Sequence, residues 1–363
     1  MKSFAVSTSS VAALVAVAFL AACGGANQQP AENGGASPAP DGPKPGTETT
    51  AGGAPAATTT ADAPSSPEVD AGLKAFDAGN YDQARSSFDA AAKKNPKDYG
   101  ALFNLGQTCE KLGDKDCAEK SYKAALAVKP DLDTAAALLS ALYIDGGRID
   151  DALSVAKQGL AKHPGSGPLH ESLGLGLAAQ GQQDLASKEF LQAIQIAPND
   201  PLFHFNLAHW MNVWHDGKDA GFQLDTAIGL VKDDYAMLAS IGFEYRMAGQ
   251  FDSCVKTFDR AIRIKDGGEG RTERGLCKHG LKDEPGALAD LQAAVATEPN
   301  YATAHYYLAG RLATVKRFKE AADEYGKYLQ LAPDGSLAKA ATEKLKLVEA
   351  AMKGASGGAG KKK

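Results

Sequence analysis

Residues Tyr99–Leu132 read YGALFNLGQTCEKLGDKDCAEKSYKAALAVKPDL. Leu102, Leu105, Cys109 and Leu112 recur at three- and four-residue steps, which places them on one face of a helix. Ala118, Tyr122, Ala125 and Leu126 do the same in a second helix. Gly113 ends the first helix because it tolerates positive φ, and Pro130 stops the second. A hairpin of this kind has an apolar face that it cannot cover by itself, so it must stack on copies of itself.

The copies are present. With Tyr99 as position 1, Pro96, Pro130, Pro164 and Pro198 stand 34 residues apart, as do Pro299 and Pro333. Further units start near Ser65 and at Asp133, Gly167, Pro201, Tyr235, Gly268 and Ala302. Position 8 is small in each: Gly72, Gly106, Ser140, Gly174, Ala208, Gly242, Gly275 and Ala309. Ala84, Ala118, Ala152, Ala186, Ala220, Ala287 and Ala321 hold position 20. Phe88, Tyr122, Phe190, Leu224, Phe258, Leu291 and Tyr325 hold position 24. The unit from Tyr235 is one residue short, and Lys232 stands where a proline is expected.

This series resembles the tetratricopeptide repeat, a 34-residue helix–turn–helix unit written W-x₂-L-G-x₂-Y, A-x₃-F, P. Its matching residues in the opening unit are Leu102, Leu105-Gly106, Cys109, Ala118, Tyr122, Ala125 and Pro130; the Trp usual at position 4 is missing throughout. The resemblance implies an all-α fold, an α-α superhelix of about eight repeats over residues 67–335. An amphipathic helix at 336–353 is expected to cap the open end, followed by a disordered tail, 354–363, ending in three lysines.

Composition agrees. Of 363 residues, 44% are apolar and only 7% aromatic, so the core draws on Ala and Leu, as closely packed helices do. A formal charge of −5, with both signs interleaved, offers no basic stripe for nucleic acid.

Met1–Ala22 carries Lys2, then the apolar run Val11–Leu20, then Leu20-Ala21-Ala22-Cys23. The run is short for a membrane span and ends in small residues, as a signal peptide does. The Leu-Ala-Ala-Cys ending resembles the lipobox of bacterial lipoproteins, which implies cleavage after residue 22 and lipidation of Cys23. A plain secretory signal with an incidental cysteine is the alternative. Several acyl chains, at about 0.8 kcal/mol per buried CH₂, would anchor the protein in the membrane. Gly24 in place of Asp implies the outer membrane, facing the periplasm. Residues 23–66 are crowded with Ala, Gly, Pro and Thr and read as a disordered tether, spanning roughly 35 Å on average.

No catalytic centre, cofactor motif or metal site is legible. His204, His209 and His215 are five and six apart, which spreads the imidazoles around a helix, unlike the i, i+4 zinc pair. No Cys-x₂-Cys, Walker, dinucleotide or Gly-x-Ser-x-Gly pattern occurs in the required context. Beyond Cys23, Cys109 and Cys117 flank one hairpin turn, and Cys254 and Cys277 fall on helices of adjacent repeats. Each pair is either a disulfide, which an exported protein permits, or two buried thiols.

The resemblance further implies that positions 2, 5, 6, 9, 12 and 13 of the first helix of each repeat line a concave groove. Carried over, they are Phe103, Asn104, Gln107 and Lys111; Phe205, Asn206, His209 and Asn212; Phe243 and Arg246; and Tyr306 and Tyr307. A carboxamide such as Asn104 or Asn206 can bond both N–H and C=O of an extended peptide, and aromatics can anchor it. The alternative is that these aromatics pack between neighbouring helices. No three successive repeats supply the Lys, Asn, Lys and Arg of the family's carboxylate clamp. The function implied is a non-enzymatic, lipid-anchored scaffold that binds segments of other envelope proteins and assists a secretion or pilus complex. A cell-wall hydrolase or transferase, and a purely structural spacer, are the alternatives.

Overall fold

The computed structural model describes residues 66–214 and 217–358, excepting the side chains of 217–219 and 354–358. The signal sequence, Cys23, the tether, His215 and the final lysines lie outside the described residues. Those described form seventeen α-helices and no strand. They group into two compact units, which divide between residues 214 and 215.

The N-terminal unit holds α1 (Pro67–Asp77), α2 (Tyr81–Lys94), α3 (Tyr99–Lys111), α4 (Lys115–Val128), α5 (Asp133–Asp145), α6 (Ile149–Leu160), α7 (Gly167–Ala179), α8 (Gln183–Ile196) and α9 (Pro201–Val213). The C-terminal unit holds α10 (Gly217–Leu230), α11 (Tyr235–Met247), α12 (Phe251–Ile264), α13 (Gly268–Gly280), α14 (Glu284–Thr297), α15 (Ala302–Thr314), α16 (Phe318–Leu331) and α17 (Ala338–Gly358). The last helix starts two residues after the expected 336 and runs past the expected 353. Leu337 is held in the preceding turn, where it is buried and its N–H donates to the Tyr328 hydroxyl at 3.2 Å.

Local chemistry sets the boundaries. Carboxylates of Asp98, Asp114, Asp234 and Asp283 each accept from the backbone N–H three residues on, capping α3, α4, α11 and α14. The hairpin turns reuse one register position, 15, where Gly79, Gly113, Gly147, Gly181 and Gly249 have φ between 71° and 75°. Lys282 and Lys316 occupy that position in the last two repeats, at φ 63° and 61°, a conformation that costs a side-chain-bearing residue about 1–2 kcal/mol.

Packing follows from position 8. A Cβ added to Gly72, Gly106, Gly174 or Gly242 would lie 2.6, 2.5, 2.9 or 2.6 Å from the ring of Phe88, Tyr122, Phe190 or Phe258 respectively. Each ring is buried and packs directly against the glycine of the partner helix. In the third repeat Ser140 replaces the glycine, and its hydroxyl donates to the Ala152 carbonyl at 3.0 Å.

Where proline is missing, another group covers the helix end. The Arg260 guanidinium on α12 donates to the carbonyls of Ile228 (2.9 Å) and Val231 (2.8 Å) at the end of α10. Both cysteine pairs are bonded: Cys109–Cys117 closes one hairpin turn, with Cα atoms 5.7 Å apart, and Cys254–Cys277 joins α12 to α13, with Cα atoms 6.0 Å apart.

Two opposite outcomes in urea unfolding test the reading of positions 8 and 15. Gly106→Ala should destabilise by about 1–3 kcal/mol through overpacking, although alanine is the better helix former. Lys282→Gly should stabilise by up to about 1 kcal/mol by relieving the left-handed backbone. A stabilising Gly106→Ala would sink the ring-on-glycine account.

Candidate functional site

The first helix of each hairpin carries the residues the sequence singles out, and stacking treats them unequally. Phe103, Asn104 and Gln107 on α3 are buried, as are Phe205, Asn206 and His209 on α9 and Tyr306 on α15. Phe103 packs on Tyr122, with ring centroids 5.9 Å apart, and His209 meets the Trp210 ring edge-on at 5.6 Å. Tyr306 lies among Tyr307, Tyr325 and Tyr328, with Lys344 donating to its hydroxyl at 2.8 Å. These side chains shape the surface from beneath. Lys111, Asn212, Phe243, Arg246 and Tyr307 keep partial exposure.

In the N-terminal unit, Asn206 meets a residue absent from the sequence reading. Its Nδ2 donates to Glu171 Oε1 at 2.6 Å, joining α9 to α7, while its Oδ1 accepts nothing from the described residues. Glu171 is 5% exposed. Burial, with a smaller contribution from the Asp200 charge, pushes its carboxyl up to about 8 against the Asn206 hydrogen bond. The Gln107 Oε1 is likewise buried without a partner.

In the C-terminal unit, the Arg246 guanidinium lies over the Phe243 ring, 4.9 Å from its centroid. Its Nε donates to Glu273 Oε2 at 2.8 Å, and its Nη2 is buried without a partner. Burial raises the Glu273 carboxyl above its ordinary range, opposed by Arg246. On the same helix Glu269 accepts from the Tyr235 hydroxyl at 2.9 Å. Tyr307 is pushed up by burial and by the Glu273 charge, with Arg246 opposing.

A second pattern escaped the sequence reading because it sits where the family expects tryptophan. Position 4 is His170, His204 and His305 in three repeats. Each Nε2 donates to the carbonyl of the proline closing the preceding repeat: Pro164 at 3.0 Å, Pro198 at 3.0 Å and Pro299 at 2.9 Å. The Nδ1 atoms of His170 and His305 face the carboxylates of Glu189 (2.6 Å) and Glu324 (2.5 Å), both at position 23. Recurrence at one register position was the available signal. These histidines tie repeats together. Among the described residues no three His, Cys, Asp or Glu gather to hold a metal ion, and no helix is long and apolar enough to cross a membrane.

A family profile described as tetratricopeptide repeat matches residues 69–137, 138–201 and 285–336, together just over half of the chain. Among solved structures, yeast Tom70 matches with TM-score 0.55 and 16% identity, over 81% of this chain and 67% of that one. A chain of the APC/C hetero-tetramer Cut9–Hcn1 matches with TM-score 0.50 and 14% identity, over 73% of this chain and 52% of that one. These likenesses show the fold. The human protein O-mannosyl-transferase TMTC1 is 35% identical over 88 residues, 24% of this chain; the chain spans about a tenth of that relative's length.

Glu171 gives the N-terminal unit a signed pH dependence. Its folded value is raised from about 4.5 to about 8, so its stabilising contribution is complete below about 4.5 and lost as pH rises through about 8. Chemical denaturation of wild type and Glu171→Gln at pH 5 and pH 8 should show the larger fall with rising pH in the wild type. Equal falls would refute the buried neutral carboxyl.

Proposed function

The chain belongs to the tetratricopeptide repeat family, and from that premise we propose that it is a non-enzymatic adaptor which holds segments of other proteins on the first-helix faces of its repeats. The observation that carries this reading is the partly exposed set Phe243, Arg246 and Tyr307, set on a base of buried aromatic and polar side chains. A rigid array presents such groups already ordered, so little entropy is lost when a partner segment docks.

Its place is the bacterial cell envelope. The Leu20–Cys23 ending supports lipidation at Cys23 and anchoring to the outer membrane on its periplasmic side, with residues 23–66 as the tether. Anchoring restricts the search for partners to the membrane neighbourhood and raises their effective concentration. Such an adaptor would assist assembly of a secretion or pilus complex.

Crosslinking in cells, followed by purification, tests both halves. Phe243→Ala/Tyr307→Ala should lose most of the partner recovered with wild type while keeping the helical circular dichroism signal; unchanged recovery would sink the groove. Cys23→Ser should move the protein from the membrane to the soluble fraction, and retention in the membrane would sink the lipid anchor.

A further inference from the structure

We propose that the face formed by Phe243, Arg246, Glu269, Glu273, Tyr301 and Tyr307 in the C-terminal unit docks an extended basic segment of a partner protein. Lysine or arginine side chains would lie between its rings and carboxylates. The inference rests on the adaptor reading and specifies the chemistry of the partner.

The charges favour a cation. Glu269, Glu273 and Glu298 all act on the Tyr301 phenol, which burial and these three carboxylates push up. Glu298 also accepts from the Gly268 N–H at 2.9 Å, which fixes it at the start of α13. The cations facing this set are Arg246, paired with Glu273, and Lys265, whose Nζ lies 5.5 Å above the Tyr235 ring. Three carboxylates against two cations leave an excess of one negative charge. Glu273 and Arg246 are 13% and 14% exposed, so the charges at this face are poorly screened. Lys265 shows that an ammonium group is accommodated on a phenol ring here, the geometry in which cation–π attraction operates.

Two polar groups on the same face point to a ligand independently of the acids. Thr272, fully buried, has an Oγ1 with no partner and stands three residues from Glu269, on the same side of α13. The Arg246 Nη2 is the second. Both can donate, and the main-chain carbonyls of an extended segment are the acceptors that suit them, since the same segment's cationic side chains reach the carboxylates. A basic extended segment satisfies both sets at once. Any extended segment can meet the two donors through its carbonyls; an acidic one is then repelled by the carboxylates, and a purely apolar one leaves them unmet.

The test uses the full chain and fluorescence anisotropy with three labelled peptides: lysine–alanine, glutamate–alanine and leucine–serine. The lysine peptide should bind at least about fivefold tighter than either of the others, and the difference should shrink at roughly 0.3 M salt. Glu269→Gln/Glu273→Gln should weaken the lysine peptide at least about fivefold with its thermal melt retained. Should that variant fail to fold, the three-peptide comparison on wild type decides by itself. Binding of the glutamate peptide as tightly as the lysine peptide, or no binding of the lysine peptide, overturns the inference. Binding seen only after removal of Lys361–Lys363 would identify the chain's own tail as occupant and equally overturn it. The adaptor reading fails separately, if crosslinking in cells recovers no partner at all.

Discussion

An aromatic ring seated on a residue without a Cβ is the contact on which the fold depends. Phe88 on Gly72, Tyr122 on Gly106, Phe190 on Gly174 and Phe258 on Gly242 each bring two helices to a separation that a methyl group would forbid. That separation fixes how far a hairpin's apolar face protrudes, and so where the next hairpin must lie. The exceptions follow the same geometry. Ser140 trades ring contact for a hydrogen bond to the Ala152 carbonyl, and Ala309 and Tyr325 belong to one buried cluster.

This is why the fold was legible in sequence. The small residue at position 8, the ring at position 24 and the proline after the second helix are local constraints repeated at fixed spacing, so register alone reveals them. The surface was legible only in part. Register places Asn104, Asn206, Phe103 and Phe205 on one side of their helices, and folding buries all four. The depth of a groove residue depends on side chains 30 or more residues away, as Asn206 depends on Glu171. The histidines at position 4 repeat in register, yet their partners, a proline carbonyl and a carboxylate on the second helix, emerge only once the hairpin is folded.

The buried ionisable groups are distributed by chemistry. In the N-terminal unit the carboxyls of Glu110 and Glu171 rise to about 7 and about 8, chiefly through burial, and each is met by a neutral partner, the Tyr122 hydroxyl or the Asn206 amide. In the C-terminal unit the partners are charged. Asp290 takes a two-pronged bond from Arg274 at 2.9 and 2.6 Å and a further ion pair from Lys278 at 2.8 Å, while Glu273 takes Arg246. A group that neutralises on burial adapts to pH, whereas a carboxylate held by a buried guanidinium stays charged and is screened little by salt.

The bond between Cys254 and Cys277 has a mechanical consequence. It short-circuits a stretch with a sequence separation of 23 residues. Force applied between the ends of the chain would pass through the sulfur atoms and spare the enclosed loop, which holds most of α12 and most of α13. Unravelling that region would release about 80 Å less chain than its residue count provides. The sixth and seventh repeats then behave under load as one short link, and reduction returns the enclosed chain to the length that an unfolding force can draw out.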